Sequence, residues 1–212
     1  MSAQRLDLPR AARLVIDRVR EILADSSGDS SAELSAGPLL VAIDGRCASG
    51  KSSLAGHICG ETGWGILHMD DFFLRPEQRT PARLEEPGGN VDRERFLDQV
   101  LLPLSQGREA VYRPYDCRTQ SLGEERRLAG ELAGERVVLV EGSYSCHPRL
   151  WDYYGLHLFL TVDPGVQLRR IEARNGPEKL EDFRGKWIPL EERYFSAFSL
   201  HKRCEILLEL GG

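Results

Sequence analysis

The chain lacks the marks of a secreted, metal-caged or membrane protein. Its five cysteines, Cys47, Cys59, Cys117, Cys146 and Cys204, are odd in number, widely spaced and form no C-x-x-C pair. Neither a disulfide framework nor a tetrahedral zinc site is expected, and that usage points to a reducing cytoplasm. Residues 1–20 contain no apolar core of the roughly 7–15 residues that a secretory signal needs, and no run approaches the ~20 apolar residues of a membrane span. An excess of basic charge is also missing. With 28 Lys and Arg against 33 Asp and Glu, the formal charge is -5, which gives no sequence-independent grip on nucleic acid or anionic lipid. Small-molecule partners fit this balance better. No internal repeat is present, and 212 residues with 41% hydrophobic content suit one domain with one substantial core.

The most informative stretch is Gly45-Arg46-Cys47-Ala48-Ser49-Gly50-Lys51-Ser52, which fits G-x-x-x-x-G-K-[ST] and follows the apolar run Leu39 to Ile43 and Asp44. A phosphate-binding loop needs a buried strand before it and a helix behind it, so that turn amides and the helix N-terminus converge on an anion. Leu54, Ala55 and Ile58 recur at the spacing of one buried helix face, with Gly60 as the expected stop. In the usual mechanics Gly45 permits the tight exit and Gly50 the close approach of backbone to phosphate. Lys51 reaches the β and γ phosphates, and the Ser52 hydroxyl ligates Mg²⁺. Ala48, Ser49 and Ser53 complete the expected nucleotide cradle. Cys47, inside the loop, reads as a packing residue.

Four further apolar runs read as strands: Trp64–Met69, Val137–Val140, Leu156–Val162 and Glu205–Leu210. Such runs, separated by helical stretches, indicate strands covered on both faces, hence a mainly parallel α/β sheet in three layers. Ligands of such sheets bind at the carboxyl ends of the strands, which puts the loop, Asp70-Asp71 and Glu141 on one rim. Leu8 to Ala24 reads as an amphipathic helix, followed by a flexible, Ser- and Gly-rich connector to Gly37. Residues 1–37 therefore precede a body of 38–212. Within it, about 72–136 is loop-rich around a helix from Asp92 to Leu104, and is expected to form the acceptor pocket.

Asp70 is the expected base toward an acceptor hydroxyl and can orient Mg²⁺ through water; the alternative is a cap for a helix starting at Phe72. Asp71 should face the other way. Glu141 sits where a strand-end carboxylate can serve the metal's outer shell, or is an ordinary strand-end charge. Arg170 and Arg174 lie one turn apart on a helix after Asp163-Pro164, either as a solvated basic face or as part of a small lid, about 169–187, that brings guanidinium groups onto the transferring phosphate. His68 reads as a satisfied buried histidine, and Tyr194, Phe195 and Phe198 as core.

These motifs together resemble the uridine kinase and phosphoribulokinase group of P-loop kinases, which also contains nicotinamide riboside kinases. The resemblance runs from about Leu39 to Leu210 and is strongest at the phosphate loop, at Met69-Asp70-Asp71-Phe72-Phe73 and at Val137 to Gly142. It implies a P-loop NTPase fold, ATP and Mg²⁺ as cofactors, Asp70 as base, and Arg170 and Arg174 as lid arginines. It further implies that Asp92 helps to hold a nucleoside and that Tyr115, in Arg113-Pro114-Tyr115-Asp116, packs against a base. At Thr119-Gln120 the chain departs from uridine-cytidine kinases, which carry histidine there. The expected activity is ATP-dependent phosphorylation of a hydroxyl on a nucleoside-like metabolite. A nucleoside monophosphate or other metabolite is the alternative acceptor, with Arg118 among the arginines able to meet its charge. An ATP-binding regulatory module is the alternative of another class; the N-K-x-D motif of guanine-nucleotide switches is missing. The edge strands and N-terminal helix can either close the fold or form a homo-oligomer.

Overall fold

The computed structural model describes residues 3–28, 37–128 and 137–211. Six parallel strands form the central sheet: β1 (Gln4–Leu6), β2 (Leu39–Gly45), β3 (Gly65–His68), β8 (Val137–Glu141), β9 (Leu156–Thr161) and β10 (Ile206–Leu210), in the order β1-β10-β9-β2-β8-β3. Four two-residue strands, β4 (Val111–Tyr112), β5 (Tyr115–Asp116), β6 (Ser121–Leu122) and β7 (Arg126–Arg127), pair antiparallel as β4-β7 and β5-β6. The central strands are Leu-, Val- and Ile-rich without polar alternation because both of their faces are covered.

Successive residues of each strand feed two cores. Val41, Ile43, Leu139, Leu158 and Leu160 face α1 (Leu8–Gly28) and α2 (Lys51–Thr62), whereas Leu40, Ala42, Val138 and Val140 face Phe72, Phe96, Tyr194 and Phe195. This is the three-layer architecture expected. Helix α1 belongs to it: Ala11, Ala12, Val15, Ile16 and Val19 are buried in the same core as β2, so this face is worth about 1.5–3 kcal/mol for each large side chain.

Several sequence expectations shift. The strand β1 has no apolar run to announce it; it forms because β10 would otherwise leave an open edge, and its register is Gln4 to Leu208. Helix α1 continues to Gly28 through the start of the expected connector, whose residues 29–36 lie outside the described set. Gly60 lies inside α2, which stops instead at Gly63, where a φ of 75° lets its N–H reach the Cys59 carbonyl. The helix expected over Asp92–Leu104 runs from Arg93 to Ser105 as consecutive segments with a wider turn at Leu97–Leu101. Beyond β9 come α3 (Pro164–Asn175), the short helix Pro177–Asp182, a wide turn Phe183–Trp187 and α4 (Ile188–Phe198).

Candidate active site

The phosphate loop leaves β2 through Gly45, whose φ is 134°. A Cβ there would stand 2.0 Å from the Leu160 carbonyl oxygen, so only glycine fits beside β9. Just before it, the fully buried Asp44 carboxylate accepts four hydrogen bonds. The donors are Gly45 N (2.6 Å), Tyr144 N (3.1 Å), Cys146 N (2.9 Å) and Tyr194 Oη (2.8 Å). Asp44 thereby ties the loop's start to the segment after β8 and to α4, and holds Tyr144 at a φ of 76° that a bulky residue avoids. Burial raises Asp44 from the ordinary carboxylate value of 3.8 to about 6, against the lowering effect of these bonds and of Lys51.

Lys51, nearly buried at the first turn of α2, donates to the Gly45 carbonyl (2.7 Å) and the Arg46 carbonyl (2.9 Å). The loop thus fixes its own ammonium at the anion cradle without a ligand. The Ser52 hydroxyl donates to Glu141 Oε2 (3.0 Å), and Glu141 Oε1 meets His68 Nδ1 at 2.6 Å. Ser52, in the first turn of α2, and Glu141, at the end of β8, are hard oxygen donors, a pair that suits Mg²⁺, which takes a few protein oxygens and completes its shell with water and phosphate. Among the described residues no group of three or more His, Cys, Asp or Glu side chains forms a cage. His68 corrects the sequence reading: its side chain is 48% exposed, turned to the rim, and the bond to Glu141 holds its pKa above the ordinary imidazole value.

Asp70 stands on the 3-10 turn Met69–Phe72 that caps β3. Its Oδ1 lies 3.5 Å from where a Cβ on Gly142 would sit, so it flanks the end of β8 next to Glu141. Asp70 is exposed at the rim, yet the protein atoms packed around it, and then the Glu141 charge, raise its pKa, partly opposed by Lys51. A base poised closer to neutrality accepts a hydroxyl proton more effectively. Asp71 turns away as expected, accepting from Tyr112 Oη (3.1 Å) and Arg126 Nη1 (2.9 Å).

Helices α3 and α4 both grip the loop from outside. From α4, Glu191 accepts from Cys47 N (2.9 Å) and Ser143 Oγ (2.6 Å), and Glu192 pairs with the Arg46 guanidinium. From α3, Gln167 Nε2 donates to the Cys47 carbonyl (3.0 Å) and Arg170 Nη1 to the Ala48 carbonyl (3.2 Å). Arg170 is therefore at the loop, whereas the exposed Arg174 side chain bonds, among the described residues, to its neighbour Asn175. Burial and Glu191 push the Cys47 thiol up to about 12, which makes it the packing residue expected. Ser49 is buried with an unpartnered hydroxyl, and Ser52 and Ser53 are exposed. Asp44, Ser143, Gln167, Glu191 and Glu192 escaped the sequence reading. Only Asp44, a charge ending an apolar strand, carries a local signal.

A scan against protein-family profiles finds no match. A uridine-cytidine kinase 2-B of Danio rerio is 27% identical over 197 residues, 82% of this chain and 74% of that protein. A solved structure described as a possible uridine kinase from Bacillus stearothermophilus superposes with a TM-score of 0.58 at 20% identity, covering 92% of this chain and 99% of that one. The D-glycerate 3-kinase of Cryptococcus neoformans var. grubii gives 0.59 at 18% identity, with 87% of each chain covered. The chain has the fold of the P-loop kinases. The similarity to a uridine-cytidine kinase spans 82% of the chain, and the solved structures share its fold.

The segment from Phe72 that is expected to form the acceptor pocket is described as far as Leu128. Asp92 is buried, caps the helix at Arg95 N (3.2 Å) and accepts from Gln78 Nε2 (2.8 Å), so both carboxylate oxygens are engaged. Tyr115 is buried against the turn that carries Asp70, and its hydroxyl accepts from Arg79 Nη2 (2.8 Å). Arg118 is not brought to the cleft. Its side chain is 87% exposed and pairs at 3.7 Å with Asp116, because β5 and β6 turn it outward at the hairpin tip.

Proposed function

We propose that the protein is an ATP-dependent kinase that transfers the γ-phosphoryl group to a hydroxyl of a small, nucleoside-like metabolite. The observation that carries this reading is the convergence on one sheet rim of a self-held Lys51, the Ser52–Glu141 pair and a carboxylate of raised pKa, Asp70. The similarity to a uridine-cytidine kinase supports it.

Residues 45–53 would hold the phosphates through turn amides and the α2 N-terminus, with the Lys51 ammonium at the β and γ positions. Ser52 and Glu141, with Asp70 beside them, would hold Mg²⁺, which supplies neutralisation of phosphate charge when bound. Asp70 takes the proton of the acceptor hydroxyl as its oxygen bonds to the γ phosphorus, and ADP leaves with the electrons of the broken P–O bond. Arg170, already against the loop at Ala48, and Arg174, one turn further on α3, would meet the transferring group as the lid settles. Tyr115 and Asp92 shape the acceptor side, Tyr115 directly and Asp92 through the helix cap.

The test is ATP consumption with Mg²⁺ against a panel of hydroxyl-bearing metabolites, with product mass. A gain of one phosphoryl group on one acceptor upholds the reading; ATP binding with no acceptor modified favours a regulatory module. Asp70→Asn should bind ATP as the wild type does and lose about 10²–10⁴ in kcat. Turnover at the wild-type rate would remove Asp70 from the base role.

A further inference from the structure

We propose that the acceptor is itself an anion, a hydroxylated metabolite carrying a carboxylate or phosphate monoester, and that Arg79 with Tyr115 is the site that reads that charge. This deepens the kinase reading above and rests on it. The insertion is rich in arginine, and most of that charge is spent internally. Arg83 and Arg93 share Glu86 and Glu94, Arg95 meets Asp92, and Arg126 meets Asp71.

Arg79 is different. Its Nε donates to the Leu74 carbonyl (3.0 Å) and its Nη2 to Tyr115 Oη (2.8 Å), with the guanidinium 5.6 Å from the Tyr115 ring centre. Among the described residues of the insertion it is the one arginine that is both sheltered and without an acidic or amide side-chain partner; Arg108 and Arg113, which also lack a carboxylate, are exposed. A sheltered cation without a counter-charge is costly, and the cost is recovered when a ligand supplies the anion.

The geometry leaves the right donors free. Two of five guanidinium N–H groups are used, so the Nη1 end and one Nη2 proton can form a fork to an oxyanion. The Tyr115 hydroxyl accepts from Arg79 and keeps its own proton to donate alongside. The location also suits an acceptor. Strand β5, which begins at Tyr115, packs on the turn that carries Asp70, and Cys117 lies within reach of both the Asp70 and the Arg79 charge. A metabolite bridging this distance presents a hydroxyl to Asp70 and its anionic end to Arg79.

The test uses matched acceptors on one carbon skeleton: polyols, sugars and nucleosides against the corresponding hydroxy acids, sugar phosphates and nucleotides. Phosphoryl transfer is read by product mass, and kcat and KM are measured for wild type, Arg79→Gln and Arg79→Lys. Turnover should be confined to anionic members, and whether hydroxy acids or phosphate esters react identifies the anion. Arg79→Gln should raise the acceptor KM about 10- to 100-fold with ATP affinity unchanged, and Lys should restore part of the loss. A neutral acceptor used as well as its anionic partner, or a KM within about twofold in Arg79→Gln, overturns the proposal. If nothing is phosphorylated the kinase reading fails separately. Calorimetric titration of the same hydroxy acids and phosphate esters into wild type and Arg79→Gln then decides the site: Arg79-dependent binding upholds it, and no binding overturns it.

Discussion

Asp44 should make the protein less stable as pH rises from about 4 to 6, and Asp44→Asn should abolish that loss. In the folded chain burial holds the Asp44 proton up to about pH 6, whereas the unfolded chain releases it near the ordinary 3.8. Between those values the folded state binds more protons, so stability falls with rising pH and the penalty is complete above the folded pKa. At about 1.36 kcal/mol per pH unit, the separation between 3.8 and about 6 amounts to about 3 kcal/mol. About 2 kcal/mol of this falls between pH ~4.5 and ~8, a window accessible to urea unfolding. The asparagine is isosteric with the neutral acid and leaves an amide facing donors such as Cys146 N, which adds an offset independent of pH. The readout is therefore the difference between variant and wild-type stability at each pH, in which other titrating groups cancel. That difference should move in favour of the variant by about 2 kcal/mol from pH ~4.5 to ~8. Parallel stability curves would refute the argument that a buried charge is held at this position.

Two other perturbations probe the loop itself. Gly45→Ala places a methyl 2.0 Å from the Leu160 carbonyl at a φ of 134°, so the strand must separate from β9; a loss above about 4 kcal/mol in urea unfolding, together with lost ATP binding, is expected, and near-native stability would show that the exit can rearrange. Adjacent glutamates of α4 should differ. Glu191→Ala strands the Cys47 amide and the Ser143 hydroxyl, costing about 2–4 kcal/mol, whereas Glu192→Gln removes a partly solvated pair worth under about 1 kcal/mol; equal effects in chemical denaturation would contradict this division.

The parallel sheet was legible because β2, β8 and β9 are covered on both faces and must be apolar throughout, and the phosphate loop because its glycines answer backbone demands. The rim followed from these two facts, which is why Lys51, Ser52, Asp70 and Glu141 meet. What stayed hidden depends on partners distant in sequence. Nothing near Glu191 announces a carboxylate set against an amide 144 residues away. His68 alternates as a strand residue should, yet its surroundings are decided by where β8 ends. Strands β1 and β4 to β7 are too short for periodicity to register, and the outward turn of Arg118 follows from the β5-β6 hairpin rather than from residue type.

Several departures from what stability alone would choose gather around the phosphate loop, although Gln120 and Ser199 also hold positive φ, and Gln99 and Tyr154 buried unpartnered oxygens, elsewhere. Asp44 is a buried charge, Ala48 and Tyr144 sit at φ of 57° and 76°, and Ser49 and Ser145 hold buried hydroxyls without partners. Asp44 ends β2 just before the phosphate loop, Ala48 and Ser49 lie in the loop, and Tyr144 and Ser145 in the segment after β8. Local rules are broken in natural proteins chiefly where function requires it, since each breach costs of order 1–3 kcal/mol and persists only when the surroundings enforce it. Here the surroundings are identifiable: β9 forces the Gly45 exit, Asp44 fixes Tyr144, and Glu191 with Gln167 holds Cys47 from both sides. In the insertion the same logic singles out Arg79, a sheltered cation amid arginines that are otherwise paired or solvent-exposed. If the loop holds a phosphate chain and Arg79 an anionic acceptor, as proposed, the strain of the one and the uncompensated charge of the other are both relieved by anions whose reacting ends meet at Asp70.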